Sequence, residues 1–428
     1  MDSIKAISSP YFVSKGTKFP IYKGIFKLKV KNSEFELDGT VELTLVPKPS
    51  IKFEGTCEGF DLSLLDSKGM LLCVKGMYAT RASLDLVQND YYIRGQVIGE
   101  LKSDGNQMID TYYLNIMNYV KYLGDPIYNE KFHFRGGLGF NLGNWKIKLH
   151  MRHDYKDESI FQKLEDTNGF NFTHILEIKR IDDSLFYEGD INEIKELILW
   201  VLNFTSGRHI GAPIQIGERE NELVLKNFST PLLSPYKRIP NWFPKQRGGS
   251  IKELLLLLNK RFEDEFLKQS IKEIIHWYIE ALNTLFIENK TVNSQIALEK
   301  LSYILLTQQS PPIISNKQYK ENSFRINLEK TLELTKVVTE LTGDYIIFKD
   351  NFVNGPDLLI KYRNHIAHPK RNQKIDHFSS KSKYLIMNLG MYYTEMLLLY
   401  LIGYSGVHAN RLKFSSWEGN YEVVPWET

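Results

Sequence analysis

Two cysteines, Cys57 and Cys73, are all that this chain of 428 residues contains. A disulfide framework and a four-cysteine zinc site are thereby excluded; the two could pair if they face each other across strands, but reduced thiols are the expectation. Charge of one sign is also scarce: 54 lysines and arginines against 51 aspartates and glutamates leave a formal net charge of +3. That balance excludes a generally basic nucleic-acid binder, so any RNA affinity must come from local clustering. Long hydrophobic runs are missing. The most apolar late stretch, Met391 to Tyr404, contains Glu395 and falls short of the ~20 residues of a membrane-spanning helix. The opening MDSIKAISSPYF lacks the basic start and apolar run of a secretion signal, which predicts a cytoplasmic protein with no membrane partner. Phosphate-binding glycine loops, HExxH and GxSxG are absent too, which argues against NTPase, zinc-protease and serine-hydrolase readings. There is no internal repeat or low-complexity tract.

What is present is ample core material: 43% hydrophobic and 13% aromatic residues, over a length that predicts two or three domains. The first part has the period of strands. Phe26, Leu28 and Val30 alternate with lysines, and Val41, Leu43 and Leu45 alternate with Glu42 and Thr44, as half-buried strands require. Turn signals at Asn32-Ser33, Asp38-Gly39, Ser67-Lys68-Gly69 and Asn89-Asp90 suit hairpins. Strand-like runs at Tyr91 to Val97, Trp145 to Met151 and His174 to Ile181 carry the pattern to about residue 187. An antiparallel sandwich or barrel-like domain over 1–187 is the economical reading.

From Asn192 to Phe204 the period changes to that of an amphipathic helix, stopped by Ser206-Gly207. Short strands are expected around Pro213 to Ile216 and Leu223 to Leu225. Ser229 to Ser250, with four prolines and Gly248-Gly249, is the predicted linker, so 188–250 is a connecting region. Residues 251–428 are helical in character. One helix is expected to open with LLLLL at 254–258, and others at 271–287, 294–306 and 326–341, then from Pro356 to His368, then from Ser382 to Ile402. Apolar residues at three- and four-residue spacing predict a bundle. The whole is an α+β multidomain chain, β-rich first and all-α last.

Candidate chemistry sits in the fifth of these helices, in Arg363-Asn364-His365-Ile366-Ala367-His368. With 14 arginines and 10 histidines, an arginine followed four to six residues later by a histidine is expected by chance, and Arg371 to His377 is a second match. Context separates the two. Arg363 follows the apolar turn Leu358, Leu359, Ile360 and precedes a proline-terminated helix end, whereas RNQKIDH has the composition of a solvated loop. Histidine can give or take a proton near neutral pH, and arginine offers phosphate a planar, permanently charged fork. Residues five apart on a regular helix diverge by roughly 140°, so the helix must end near His368 for both to serve one site. The alternative for this pair is structural, a cationic cap on a helix C-terminus. Lys361 to Lys383 holds seven lysines and arginines against one aspartate, a basic patch suited to a phosphate backbone. Lys361, Lys370, Arg371 and Lys374 are its candidate RNA contacts, with a solvated loop as the plain alternative. Glu299, among apolar residues in IALEKL, either orients Arg363 or is exposed. The role of His365 is open between assisting and facing outward. His276-Trp277-Tyr278 reads as core packing, and the pairs Arg152-His153 and Arg208-His209 as surface residues.

The Arg-x(4)-His segment, with HWYIEALN and IALEKLSYILL ahead of it, resembles the HEPN superfamily of ribonucleases, and the β-rich first half fits the ApeA-like abortive-infection subgroup. The resemblance covers about residues 250–405. It implies metal-independent RNA cleavage with no cofactor, Arg363 and His368 as catalytic residues, and Asn364 holding Arg363 or the phosphate. It implies a homodimer or higher even oligomer that brings two such segments together, and RNA, with tRNA one candidate, as substrate. It further implies an antiphage role with a phage-derived trigger sensed by the β domain. The rival reading is a non-catalytic HEPN-like dimerisation module whose β domain binds a ligand or protein.

Overall fold

The computed structural model describes residues 4–7, 17–60, 69–88, 91–103, 105–129, 132–152, 159–368, 375, 378–413 and 421–427. It divides into two units: Met1–Glu196 with Ile210–Arg238, and Leu197–His209 with Ile239–Thr428. The fold is mixed α+β, with strands dominating the first unit and helices the second.

In the first unit, Lys18–Val30, Ser33–Thr44, Ser50–Thr56, Tyr92–Val97, Thr80–Gln88 and Leu71–Cys73 follow one another around a closed six-stranded barrel. The period-two pattern explains the interior. Phe26, Leu28, Val30, Val41, Leu43 and Leu45 are each at most 1% exposed, and the lysines between the first three face outward. The expected turn at Asn32 is present, with Val30 paired to Ser33 and Lys31 at φ 54°. The expected turn at Asp38-Gly39 is not. Both residues lie inside a strand, where Gly39 faces Gly55 across the ladder, and a Cβ on Gly39 would lie 2.0 Å from the Glu54 carbonyl oxygen. This glycine serves close backbone approach, which a local turn signal cannot be told from. Ser67-Lys68 and Asn89-Asp90 lie outside the described residues.

Beside the barrel runs a nine-stranded sheet in the order Ile4–Lys5, Asp125–Asn129, Phe132–Leu142, Trp145–Met151, Phe172–Arg180, Thr111–Met117, Gly211–Arg219, Glu222–Ser229, Glu100–Lys102. Glu220 and Asn221, both at positive φ, make the tight turn of the Gly211–Ser229 hairpin, and this twist matches that of the strands it joins. Barrel and sheet share one core: Phe19 meets Phe172 edge-on at 4.9 Å, with Met117, Ile175, Ile214 and Phe228 in the same cluster. A short helix, α1 (Ser159–Thr167), also belongs to this unit.

Helix α2 (Asn192–Ser206) ends at Gly207, whose φ of 66° suits a C-terminal stop. The division between units falls inside this helix. The second unit continues with α3 (Gly249–Arg261), α4 (Glu265–Asn283), α5 (Ile287–Thr307), α6 (Asn316–Glu321), α7 (Phe324–Leu334), α8 (Gly355–Ala367) and α9 (Ser380–Ile402). Helix α7 stops earlier than its apolar spacing predicts because Lys336 takes φ 53° and Val337 N–H returns to the Leu332 carbonyl. The division differs from three consecutive spans at 1–187, 188–250 and 251–428. Phe204 packs on Trp242 and Tyr278 within the helical unit, and Trp242, midway along the expected linker, is fully buried.

At 23 residues, α9 is longer than the apolar run in the sequence implies, and by length and composition it could cross a membrane; instead 94% of its most apolar window is buried inside the fold. Both cysteines are free thiols.

Candidate functional site

Helix α8 is built to begin and end sharply. Asn354 caps it, its Oδ1 accepting from Asp357 N–H at 2.9 Å, and Pro356 sits in the first turn, where its missing N–H costs nothing. Asp357, 1% exposed, accepts from Arg325 and Lys361 at 2.9 Å each and from the Val353 N–H at 3.1 Å. Leu358, Leu359 and Tyr362 bury the inner face. The last helical residue is Ala367; His368 leaves the helix at φ −137°, ψ 71°, its N–H still donating to the Asn364 carbonyl at 2.8 Å. The break falls where the following proline requires it, and it frees His368 from the angular spacing of a regular helix.

Arg363 is half-buried, with Nη1 donating to Asn364 Oδ1 at 3.3 Å, and its Nε is buried with no hydrogen-bond partner. No carboxylate pairs with it among the described residues, whereas Arg325 and Arg411 both end on carboxylates. Asn364 and His368 are exposed and His365 is half-buried. Glu299 is exposed on α5, where its carboxylate accepts from Gln295 at 3.1 Å and makes no ion pair with Arg363. Lys361 is engaged by Asp357 and lies over the Phe352 ring at 5.6 Å. Lys370, Arg371, Lys374 and His377 lie outside the described residues. Thus Arg363, Asn364 and His368 share one helix end, and Glu299 and Lys361 are committed elsewhere.

Tyr278 is fully buried while His276 and Trp277 are half-buried. The pairs expected at the surface are not there: Arg152, Arg208 and His209 are 3%, 2% and 7% exposed. A polar sequence such as SGRHIG gives no local sign of burial, because the residues that cover it come from distant helices.

The β-rich unit holds a polar constellation that sequence reasoning missed. Glu188, 5% exposed, accepts from Lys102 at 2.6 Å, Lys195 at 3.3 Å and Tyr112 at 2.8 Å. Burial raises the Glu188 carboxyl, but the two lysines outweigh it and leave it below the ordinary range, while burial lowers the Lys195 ammonium. Glu188, Lys102 and Lys195 line an open groove of about 640 Å³ with Gln215 and Asn227. Their separation in sequence, from 102 to 227, leaves no motif to find.

Residues 104–239 match the description of a YopA central domain and residues 264–423 that of a YopA C-terminal domain. The chain is 30% identical over 418 residues, 95% of each chain, to the SPbeta prophage-derived uncharacterized protein YopA of Bacillus subtilis (strain 168). No solved structure matches. The chain belongs to the YopA family.

Proposed function

We propose that the protein is a metal-independent endoribonuclease of HEPN type, with Arg363 and His368 of two subunits forming the site and Asn364 supporting Arg363. The observation that carries this reading is the state of Arg363. A half-buried guanidinium is held by a neutral amide, with no carboxylate partner among the described residues, beside an exposed histidine at a helix end. A guanidinium with no anion beside it is available to pair with a phosphate through its planar fork. In the reaction proposed, His368 takes the proton of a ribose 2′-OH, whose oxygen attacks the adjacent phosphorus. The P–O5′ bond breaks, giving a 2′,3′-cyclic phosphate and a protonated 5′-OH. Arg363 neutralises the charge on the equatorial oxygens. One such pair supplies a single titratable group, so two copies related by a two-fold axis supply both base and acid. The β-rich unit acts as the sensor of a phage-derived trigger. A relative described as prophage-derived fits an effector directed against competing phages.

Incubation of the purified full-length protein with total cellular RNA, with and without EDTA, tests the reading. Fragments bearing 2′,3′-cyclic phosphate and 5′-OH ends under both conditions support it. Intact RNA, or 5′-phosphate ends, would leave the 363–368 segment as a structural cap.

A further inference from the structure

The helical unit contains a second group of chemistry-bearing side chains, away in sequence from the 363–368 segment. His276 and Glu280 stand one turn apart on α4, which places both on one face of the helix. His209, in the segment after α2, comes to the same place. Its ring centroid is 5.5 Å from that of His276, and its Nε2 is 3.5 Å from Glu280 Oε1. One donor atom from each of the three residues lies within 4.8 Å of the others.

We propose that His209, His276 and Glu280 bind a divalent transition-metal ion of the zinc class, one per chain. The three donor atoms stand close enough together to share one ion. A hydrogen-bonded imidazole and carboxylate close to about 2.7–3.2 Å, whereas two donors on one tetrahedral zinc, each about 2.0–2.1 Å from the metal, stand roughly 3.3 Å apart. The 3.5 Å between His209 and Glu280 matches the second distance. Two imidazole nitrogens also set the class of metal, since magnesium and calcium take oxygen donors. Lys272, one turn before His276, directs its ammonium over the Trp200 ring at 5.9 Å. Three protein donors leave a fourth position for water, and the half-exposed Glu280 marks the side from which it is reached. Such a site ties α4 to the segment that follows α2, both parts of the helical unit.

The test is titration of the EDTA-stripped, re-dialysed full chain with Co(II), read by the visible bands of a tetrahedral centre, followed by displacement with Zn(II). One equivalent of Co(II) should bind with tetrahedral bands that Zn(II) bleaches. Glu280→Gln and His276→Asn, at the two less buried positions, should each weaken binding at least tenfold while circular dichroism stays native. Their combination should abolish the bands. Absence of tetrahedral bands in the native chain, or undiminished binding in the double variant, overturns the site. The readout involves no RNA, so its failure is separable from failure of the nuclease reading.

Discussion

Glu395 and Arg411 form a buried two-point ion pair, with Nη2 to Oε1 at 2.5 Å and Nε to Oε2 at 3.0 Å, and side chains 0% and 4% exposed. The carboxylate sits about two thirds of the way along the strongly apolar helix α9, where it also accepts from the Tyr278 hydroxyl at 2.7 Å. Burial pulls the Arg411 guanidinium down, yet Glu395 more than reverses this and holds it above the ordinary range. Removing one partner leaves the other charge stranded, which costs about 3–5 kcal/mol. Arg411→Ala should therefore lower the urea midpoint sharply. Glu395→Met with Arg411→Leu should recover much of the loss, and failure to recover any would mean that the pair itself holds the helices together.

At the helix end of α8, His368→Ala should slow RNA cleavage by about 10²- to 10⁴-fold with unchanged circular dichroism and oligomeric state, since the residue is exposed. Arg363→Ala should be as damaging, and Arg363→Lys should rescue poorly because an ammonium lacks the guanidinium fork. Arg371→Ala should keep the cleavage rate and lose only salt-sensitive RNA affinity. Equal losses from Arg363→Ala and Arg371→Ala would point to a diffuse basic surface.

In the β-rich unit His174 is fully buried, stacked on Tyr122 at 5.5 Å and meeting Tyr119 edge-on. Burial, and secondarily the charge of His150, put its basicity well below the ordinary value. Between the unfolded value of about 6.5 and the lower folded value, the unfolded chain carries a proton that the native chain does not. Stability is therefore complete above about pH 6.5 and is lost progressively as pH falls below it. Urea unfolding from pH 7.5 to 5 should show this slope, and His174→Gln should reduce it.

Gly39→Ala should destabilise the barrel by about 1–3 kcal/mol or more, because the new Cβ would meet backbone, the Glu54 carbonyl oxygen at 2.0 Å, that cannot swing aside. Gly189→Ala, with nothing within 4 Å of its Cβ, is the matched control and should leave the urea midpoint nearly unchanged.

Local patterns were readable wherever the cause was local. Phe26, Leu28 and Val30 alternate because a barrel wall has two faces, and α8 begins at Asn354-Gly355-Pro356 and ends at Ala367 because caps and proline act within a turn. Closure of the barrel by pairing of Lys18–Val30 with Leu71–Cys73 depends on contacts more than 40 residues apart along the chain, which no local window holds. The same reason hid the groove around Glu188 and the burial of His209, whose neighbours His276 and Glu280 belong to another helix. Gly39 misled because close approach and turning both call for glycine. For the proposed site, residue types and helix end were legible, and the pairing of Lys361 with Asp357 and of Glu299 with Gln295 follows the four-residue spacing of a helix face, a local signal that went unread.

The helical unit is written in two pieces, Leu197–His209 and Ile239–Thr428, with Ile210–Arg238 of the β-rich unit between them. A fragment begun at residue 250 would lack Phe204 and Trp242, which are 1% and 0% exposed in that unit. Neither unit can be cut out at one site, and neither can be exchanged by a single recombination crossover without breaking both cores. Nested in this way, the β-rich and helical units are inherited together, and exchange of either one requires two coordinated breaks in the chain.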